Sequence, residues 1–220
     1  MKQIPTNLDE EIKNSFGRKI FGDFLELELK KPELLPCFDV LTKLYFEVNS
    51  IINISALRAV DDIYIKHYLD SLYPLSEFRG KTVCDVGCGG GFPSIPLAIA
   101  SDFEVTGLDS VGKKLKLIEL AVSALKLNNL KSEHARSEDF AKKGNSFDTV
   151  CARALADINT AVTFCAPLVN QHGRLILYRT QNDDMPKSEI LNKFEFSAVK
   201  VKDYELSGTG INRRVYIFER

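Results

Sequence analysis

No run of about eighteen consecutive apolar residues occurs in the 220-residue chain, so the sequence offers no membrane-spanning helix. The amino terminus, Met1-Lys2-Gln3-Ile4-Pro5 running into Asp9-Glu10-Glu11, lacks the apolar stretch of a signal peptide, which points to a cytoplasmic protein. Cysteine is odd in number, at positions 37, 84, 88, 151 and 165, and no Cys-x-x-Cys pair occurs. That pattern argues against a disulfide framework and against a structural zinc site, and no metal is expected. Cys84, Cys151 and Cys165 sit among apolar neighbours and read as small buried thiols. An excess of one charge is also missing: 29 basic residues face 30 acidic ones, for a net charge of -1. This excludes a polycationic DNA-coating protein but not a local basic rim on a neutral enzyme. The sequon Asn53-Ile54-Ser55 carries no glycosylation meaning without a secretory signal.

What remains is enough apolar material for a sizeable core, at 45% of residues against 27% charged. Up to about residue 80 the spacing is helical. Ile12, Phe16, Ile20, Phe21, Phe24 and Leu25 recur three and four apart, the pattern returns over Asp39–Ile51, and a third helix is expected over Ile63–Leu75. Then the period changes. Thr82–Val86 is a short apolar run of the buried parallel type, and further strands are expected at Phe103–Leu108, Ser132–Ala135, Phe147–Ala152, Arg174–Tyr178, Phe194–Lys202 and Arg213–Phe218. Helices are expected over Ile95–Ala100, Val111–Leu127 and Asp157–Ala166. Alternation of strand and helix predicts an α/β fold with a doubly wound, mostly parallel sheet, and the last two strands, with no helix between them, predict an antiparallel pair at one edge. The expected division is a helical amino-terminal cap, 1–80, followed by the sheet domain, 81–220.

The most informative stretch is Val83-Cys84-Asp85-Val86-Gly87-Cys88-Gly89-Gly90-Gly91-Phe92-Pro93, where a strand passes into a helix through four glycines. Glycine lets the backbone approach a ligand closely, so a nucleotide-like cofactor is expected. A dinucleotide site calls for glycine where Phe92 stands, and no Gly-Lys-Ser/Thr follows to make a P-loop. Asp85 would repel a diphosphate but can pair with an ammonium group, which favours S-adenosylmethionine, a cofactor with an ammonium, a sulfonium and no phosphate. Asp109, closing the next strand, can accept from both ribose hydroxyls, and Ser137-Glu138 after the third strand can face the adenine. A helix cap or a solvated turn is the other reading of Asp109 and Glu138.

These residues resemble a known family. Asp85-Val86-Gly87-Cys88-Gly89-Gly90-Gly91-Phe92-Pro93-Ser94-Ile95-Pro96, Leu108-Asp109-Ser110-Val111-Gly112-Lys113-Lys114, Ala152-Arg153-Ala154-Leu155-Ala156, Asn53-Ile54-Ser55 and His67-Tyr68-Leu69-Asp70-Ser71 are similar to the motifs of the bacterial 16S rRNA (guanine-N7) methyltransferase family, also called the glucose-inhibited division protein B family. The resemblance implies a Rossmann-like class I methyltransferase sheet, S-adenosylmethionine as cofactor, and 16S rRNA or a small ribosomal subunit particle as partner. It places Gly87, Phe92, Ser137, Glu138 and Arg153 at the cofactor, supported by Asp85, Gly89 and Asp109. Three positions depart from the family pattern: Ser94 for a glycine, Ala152 for a serine, and Arg179 for a lysine after the fifth strand.

Guanine N7 carries a lone pair and no proton, so alkylation there needs alignment rather than a general base. That accounts for the absence of any acid–base pair or triad in the sequence. Arg153, His67, Asp70 and Ser71 are the candidates for the catalytic cleft. The last three lie on one helical face, which suits either the lining of the cleft or a hydrogen-bonded interhelix contact. Lys113, Lys114, Arg179 and Arg213 are candidate RNA contacts, with a solvated helix face the other reading of the lysines. A monomer is expected. A small-molecule methyltransferase on the same sheet, or a nucleotide-binding oxidoreductase domain, are the alternatives the residues leave open.

Overall fold

A computed structural model describes residues 5–181 and 185–220; the run Met1–Ile4 discussed above lies outside them. Helices Leu8–Asn14, Phe16–Leu27 and Leu35–Ile51 open the chain. The single early helix suggested by periodicity is broken at Ser15. Its hydroxyl accepts from Arg18 N–H as an N-cap and donates to Asp61 Oδ1 at 2.6 Å. The next helix, 60–72, starts three residues earlier than expected and ends before Pro74. Its middle turn, Tyr64–Leu69, is wound as a π-helix. No strand occurs among the described residues before Thr82.

Seven strands follow: β1 Thr82–Val86, β2 Glu104–Asp109, β3 Leu130–His134, β4 Phe147–Arg153, β5 Val169–Arg179, β6 Ala198–Leu206 and β7 Ile211–Glu219. They form one sheet in the order β3-β2-β1-β4-β5-β7-β6. The first five are parallel, and β7 pairs antiparallel with both β5 and β6. The order reverses between β2-β1 and β4, and this switch point opens a crevice at the carboxyl ends of the strands.

Several expected boundaries move. Phe194 is not in a strand, because a short helix, Ser188–Lys193, runs up to it and β6 begins only at Ala198. The loop expected over 203–212 shrinks to the turn between Leu206 and Ile211. Ser137–Lys142 is a further short helix. The long helix after β2 splits into a 3-10 turn, Gly112–Leu115, and Lys116–Leu125, ended by Lys126 in the left-handed region at φ 54°.

Both faces of the sheet are covered. On one side Val162 and Cys165 pack against Val150, Leu177 and Phe218. On the other a continuous core joins the amino-terminal helices to the sheet, with Phe21, Phe38 and Tyr68 in the same cluster as Ile95, Ile118, Ile176 and Ile217. Phe21 and Phe38 meet edge-on at 4.6 Å. Cys84, Cys88, Cys151 and Cys165 are buried as free thiols. Among the described residues no helix is long and apolar enough to cross a membrane.

The helical layer is closed by Gly17, whose N–H donates to Asp61 Oδ1 at 3.0 Å. A Cβ at position 17 would lie 2.5 Å from Asp61 O and 2.7 Å from Asp61 Cα, backbone atoms that cannot swing aside. Gly17→Ala is expected to destabilise the protein by about 2–3 kcal/mol through overpacking, read from the urea midpoint; an unchanged midpoint would show that the two helices are not locked there.

Candidate functional site

The glycine turn leaves β1 with Gly87 and Gly89 at positive φ, 71° and 53°. The positive φ favours glycine at position 87, where a Cβ would also displace the Leu155 side chain, whose Cδ1 would lie 2.4 Å away. Most N–H groups of this turn point back into the protein. Gly87 and Cys88 both donate to Leu108 O, at 2.8 and 3.1 Å, and Gly91 and Phe92 donate to Cys88 O. Gly89 N–H donates to Asp109 Oδ2 at 2.8 Å, and Ser94 N–H to Asp85 Oδ2 at 3.1 Å. A diphosphate would need those donors directed at the ligand; here they are committed within the fold.

Two clefts open at the carboxyl ends of the strands. The first, about 250 Å³, is lined by Gly87, Asp109, Val111, Ser137, Glu138 and Leu155, with Lys114 and Arg136 also on it. The second, about 390 Å³, is lined by Lys66, His67, Asp70, Arg153, Arg179 and Arg213, with Leu57, Tyr178 and Thr180. Ala154 belongs to both linings. It follows the last residue of β4 at φ 52°, a conformation that costs energy for a residue with a Cβ and that concentrates at functional sites. A depression of about 700 Å³ lies at the opposite edge, by Thr82, Glu104 and Leu130, where the strands begin.

The expected cofactor residues therefore separate. Gly87, Asp109, Ser137 and Glu138 line the first cleft. Asp85 and Gly89 are bonded within the glycine turn. Phe92 turns toward the helical layer and stacks on His67, with centroids 4.2 Å apart and rings parallel within 1°. Arg153 lies in the second cleft. Asp109 is less available than the sequence suggests, because Oδ1 already accepts Val111 N–H at 2.8 Å while Oδ2 takes Gly89. Lys114 is on the first cleft and Lys113 is exposed on the same 3-10 turn.

Arg153 is the centre of the second cleft. Nη1 donates to Lys66 O at 2.8 Å and to Asp70 Oδ2 at 3.3 Å, and Nη2 donates to His67 Nδ1 at 2.9 Å. His67 is therefore an acceptor at Nδ1 and donates through Nε2 to Ser55 Oγ at 3.2 Å. Burial, and then the Arg153 charge, hold its pKa well below 6.5, so the imidazole is neutral. Ser71 is not in the cleft: it is fully buried, its hydroxyl bonded back to His67 O and its carbonyl accepting from Tyr178 Oη at 2.8 Å. Two parts of this cluster escape sequence reading. Lys66 contributes a carbonyl from the π turn, and Tyr204, on the last hairpin, donates to Asp70 Oδ1 at 3.1 Å. Arg179 donates to Ala156 O, and Arg213 lies 3.6 Å from Asp70. No cluster of three His, Cys, Asp or Glu residues suited to a metal occurs among the described residues.

A family model described as GidB, rRNA small subunit methyltransferase G, matches residues 37–215. The chain belongs to the rRNA small subunit methyltransferase G family. Relatives bearing that name are 38% identical in Lactobacillus helveticus, covering 81% of each chain, and 32% identical in Pediococcus pentosaceus, covering 83% of this chain and 81% of the relative. Among solved structures, magnesium protoporphyrin IX methyltransferase from Synechocystis with bound SAM is 22% identical, with a TM-score of 0.55 over 93% of this chain and 97% of that one. The Thermus thermophilus 16S rRNA N2 G1207 methyltransferase is 19% identical, with a TM-score of 0.53 over 69% of this chain and 43% of that one. These structural likenesses establish the Rossmann-like methyltransferase fold, and the family membership rests on the sequence matches.

Asp85 supplies a test of the site's electrostatics. Its carboxyl is fully buried, Oδ2 accepts both N–H and O–H of Ser94, and Oδ1 has no partner among the described residues. Burial raises its pKa from 3.8 to about 6 against the opposing Ser94 bonds. A raised acid pKa means the folded state binds more protons than the unfolded chain between those values, so this group's contribution to stability grows as pH falls through about 6 toward 4. Wild type should gain about 2 kcal/mol relative to Asp85→Asn between pH 7.5 and pH 4, by urea unfolding at both. A pH-independent difference between the two proteins would show that the buried carboxylate is unstrained.

Proposed function

We propose that this chain uses S-adenosylmethionine to methylate N7 of a guanosine in 16S rRNA, with residues 1–80 forming a helical cap over the second cleft. The observation that carries the cofactor assignment is the inward-turned glycine loop beside carboxylates. A ligand held there gains little from phosphate and much from hydroxyl, amino or sulfonium groups, and the donor set fits S-adenosylmethionine. Asp109 would accept from ribose hydroxyls with the lone pairs left by Gly89 and Val111, Ser137 and Glu138 would flank the adenine, and Gly87 would leave room for the ligand backbone. Asp85, fully buried and on neither cleft, would support the glycine turn from beneath rather than meet the ammonium group. When bound, S-adenosylmethionine supplies an electrophilic methyl group on a sulfonium.

The second cleft would take the base. Lys66, Arg153, Arg179 and Arg213 make it cationic, which suits the O6 oxygen of guanine and nearby phosphates. Three of the five N–H donors of Arg153 are committed to Lys66, Asp70 and His67, and the remaining donors can hold a base oxygen while leaving N7 unbonded. No residue need remove a proton, and the neutral, doubly bonded His67 suits a positioning role. The chemistry then rests on proximity and orientation. A guanine paired within A-form RNA hides N7 in the deep groove, so the target would be an unpaired or extruded nucleotide. Lys113, Arg179 and Arg213 are the proposed phosphate contacts.

Purified protein incubated with methyl-labelled S-adenosylmethionine and small subunits from a strain deleted for its gene should restore one 7-methylguanosine in 16S rRNA. Naked refolded rRNA should be a poorer and more salt-sensitive substrate, because few cations hold the RNA. No labelled 7-methylguanosine in either substrate would reject the reading. Asp109→Ala should weaken S-adenosylhomocysteine by about 1–3 kcal/mol in calorimetry, and an unaltered dissociation constant would mean that the ribose is held elsewhere.

A further inference from the structure

Tyr204 on β6 stands directly opposite Arg213 on β7. Directly paired residues of an antiparallel ladder project from the same face of the sheet, and here both reach the same carboxylate oxygen. Tyr204 Oη donates to Asp70 Oδ1 at 3.1 Å, whereas Arg213 Nε stays 3.6 Å from it. The second oxygen, Oδ2, accepts from Arg153 Nη1 at 3.3 Å. Asp70 and Tyr204 are almost wholly buried, at 5% and 7% exposure, and the phenol ring is fixed by stacking on Tyr73 at 4.3 Å.

We propose that Tyr204 is a positioning residue for the methyl transfer: its hydroxyl occupies Asp70 Oδ1, so that Oδ2 stays on Arg153 and Arg213 remains outside hydrogen-bond length, directed to the second cleft. This inference rests on the reading of that cleft given above. The physical reason is competition. A buried carboxylate left short of donors recruits the nearest one, because an unpaired buried oxygen is costly. With the hydroxyl removed, the nearest donor to Oδ1 is the Arg213 guanidinium. Closing that gap withdraws Arg213 from the cleft, and rotation of Asp70 toward it loosens Arg153. One uncharged hydroxyl thus sets how two cations divide one anion.

Tyr204→Phe keeps the ring and its stack while deleting the donor. In cofactor-free protein labelled with nitrogen-15, the Arg213 guanidinium N–H should exchange more slowly than in wild type and that of Arg153 faster. In single-turnover methylation of small subunits the rate should fall about tenfold, with S-adenosylhomocysteine affinity within twofold of wild type. Asp70→Asn is the second probe: adding Tyr204→Phe to it should cost no further rate, since both act through one carboxylate. Unchanged guanidinium exchange in Tyr204→Phe, or rate losses that multiply in the double variant, would overturn the proposal. If Tyr204→Phe does not fold, Asp70→Asn must itself speed Arg153 exchange, and unchanged exchange there is the overturning result. The exchange measurements need no activity, so a failure of the rRNA reading would show separately, as a wild-type enzyme that methylates neither substrate.

Discussion

The guanidinium of Arg153 ties the end of β4 to the helical layer, and much of the site follows from how that one charge is satisfied. A cation with so little of its side chain exposed, 16%, is costly unless its donors find acceptors. The protein provides three of different kinds: the Lys66 carbonyl, the Asp70 carboxylate and the neutral Nδ1 of His67. The carboxylate offsets the charge, the carbonyl adds a dipole, and the imidazole accepts without adding a second cation. His67 stays neutral for that reason, being buried and beside Arg153. Its ring is then usable as an apolar plate, stacked on Phe92. The aromatic residue that breaks the dinucleotide pattern in the glycine turn thereby becomes the floor beneath His67.

The parallel core was legible because its signals are local. Thr82–Val86 and Phe147–Arg153 are apolar runs buried on both faces, and the glycine turn between β1 and the next helix declares a backbone approaching something closely. Where those conditions lapse, so does legibility. Helices Ser137–Lys142 and Ser188–Lys193 are six residues each, too short to show a period. β6 has exposed and buried positions without strict alternation, and its true start was masked by the apolar Phe194 and Phe196 beside it. At the site, the motif residues fell near two adjoining clefts, but their division between the clefts was invisible. Even helical spacing groups His67, Asp70 and Ser71, yet the structure keeps two at the cleft and turns Ser71 to an interior bond with Tyr178. Tyr204, 134 positions from Asp70 in sequence, carries no local signal at all.

Two costly features lie close to the clefts, while the left-handed Lys30, Lys126, His172 and Glu195 are elsewhere in the fold. Asp85 is a buried carboxyl with an orphaned oxygen, and Ala154 holds a left-handed backbone between the two clefts. Neither is favourable in isolation, and both sit where the sheet reverses its strand order. Such costs persist only where the surrounding packing over-determines the geometry. Here the continuous core joining the amino-terminal helices to the sheet supplies that determination, with Ile95 and Ile118 fully buried beside the glycine turn. The helical layer contributes to rigidity as well as to the cleft wall, since its π turn provides both His67 and the Lys66 carbonyl.

Charge balance over the whole chain conceals the arrangement that matters. A net charge of -1 gives the chain as a whole no attraction for RNA. Yet the first cleft balances Asp109 and Glu138 against Lys114 and Arg136, whereas the second carries Lys66, Arg153, Arg179 and Arg213 around a single Asp70. A charge-balanced cleft on one side of Ala154 and a cationic one on the other separate ligands by charge, a polyanion being favoured only at the second. Low-dielectric walls sharpen that separation over a few ångströms, where a uniformly basic surface would draw RNA into the donor's cleft as readily as into its own. Sorting of this kind works best on a neutral background. In the proposed reading, specificity for the target rests on the few cations at the second cleft, and their orientation matters more than their number.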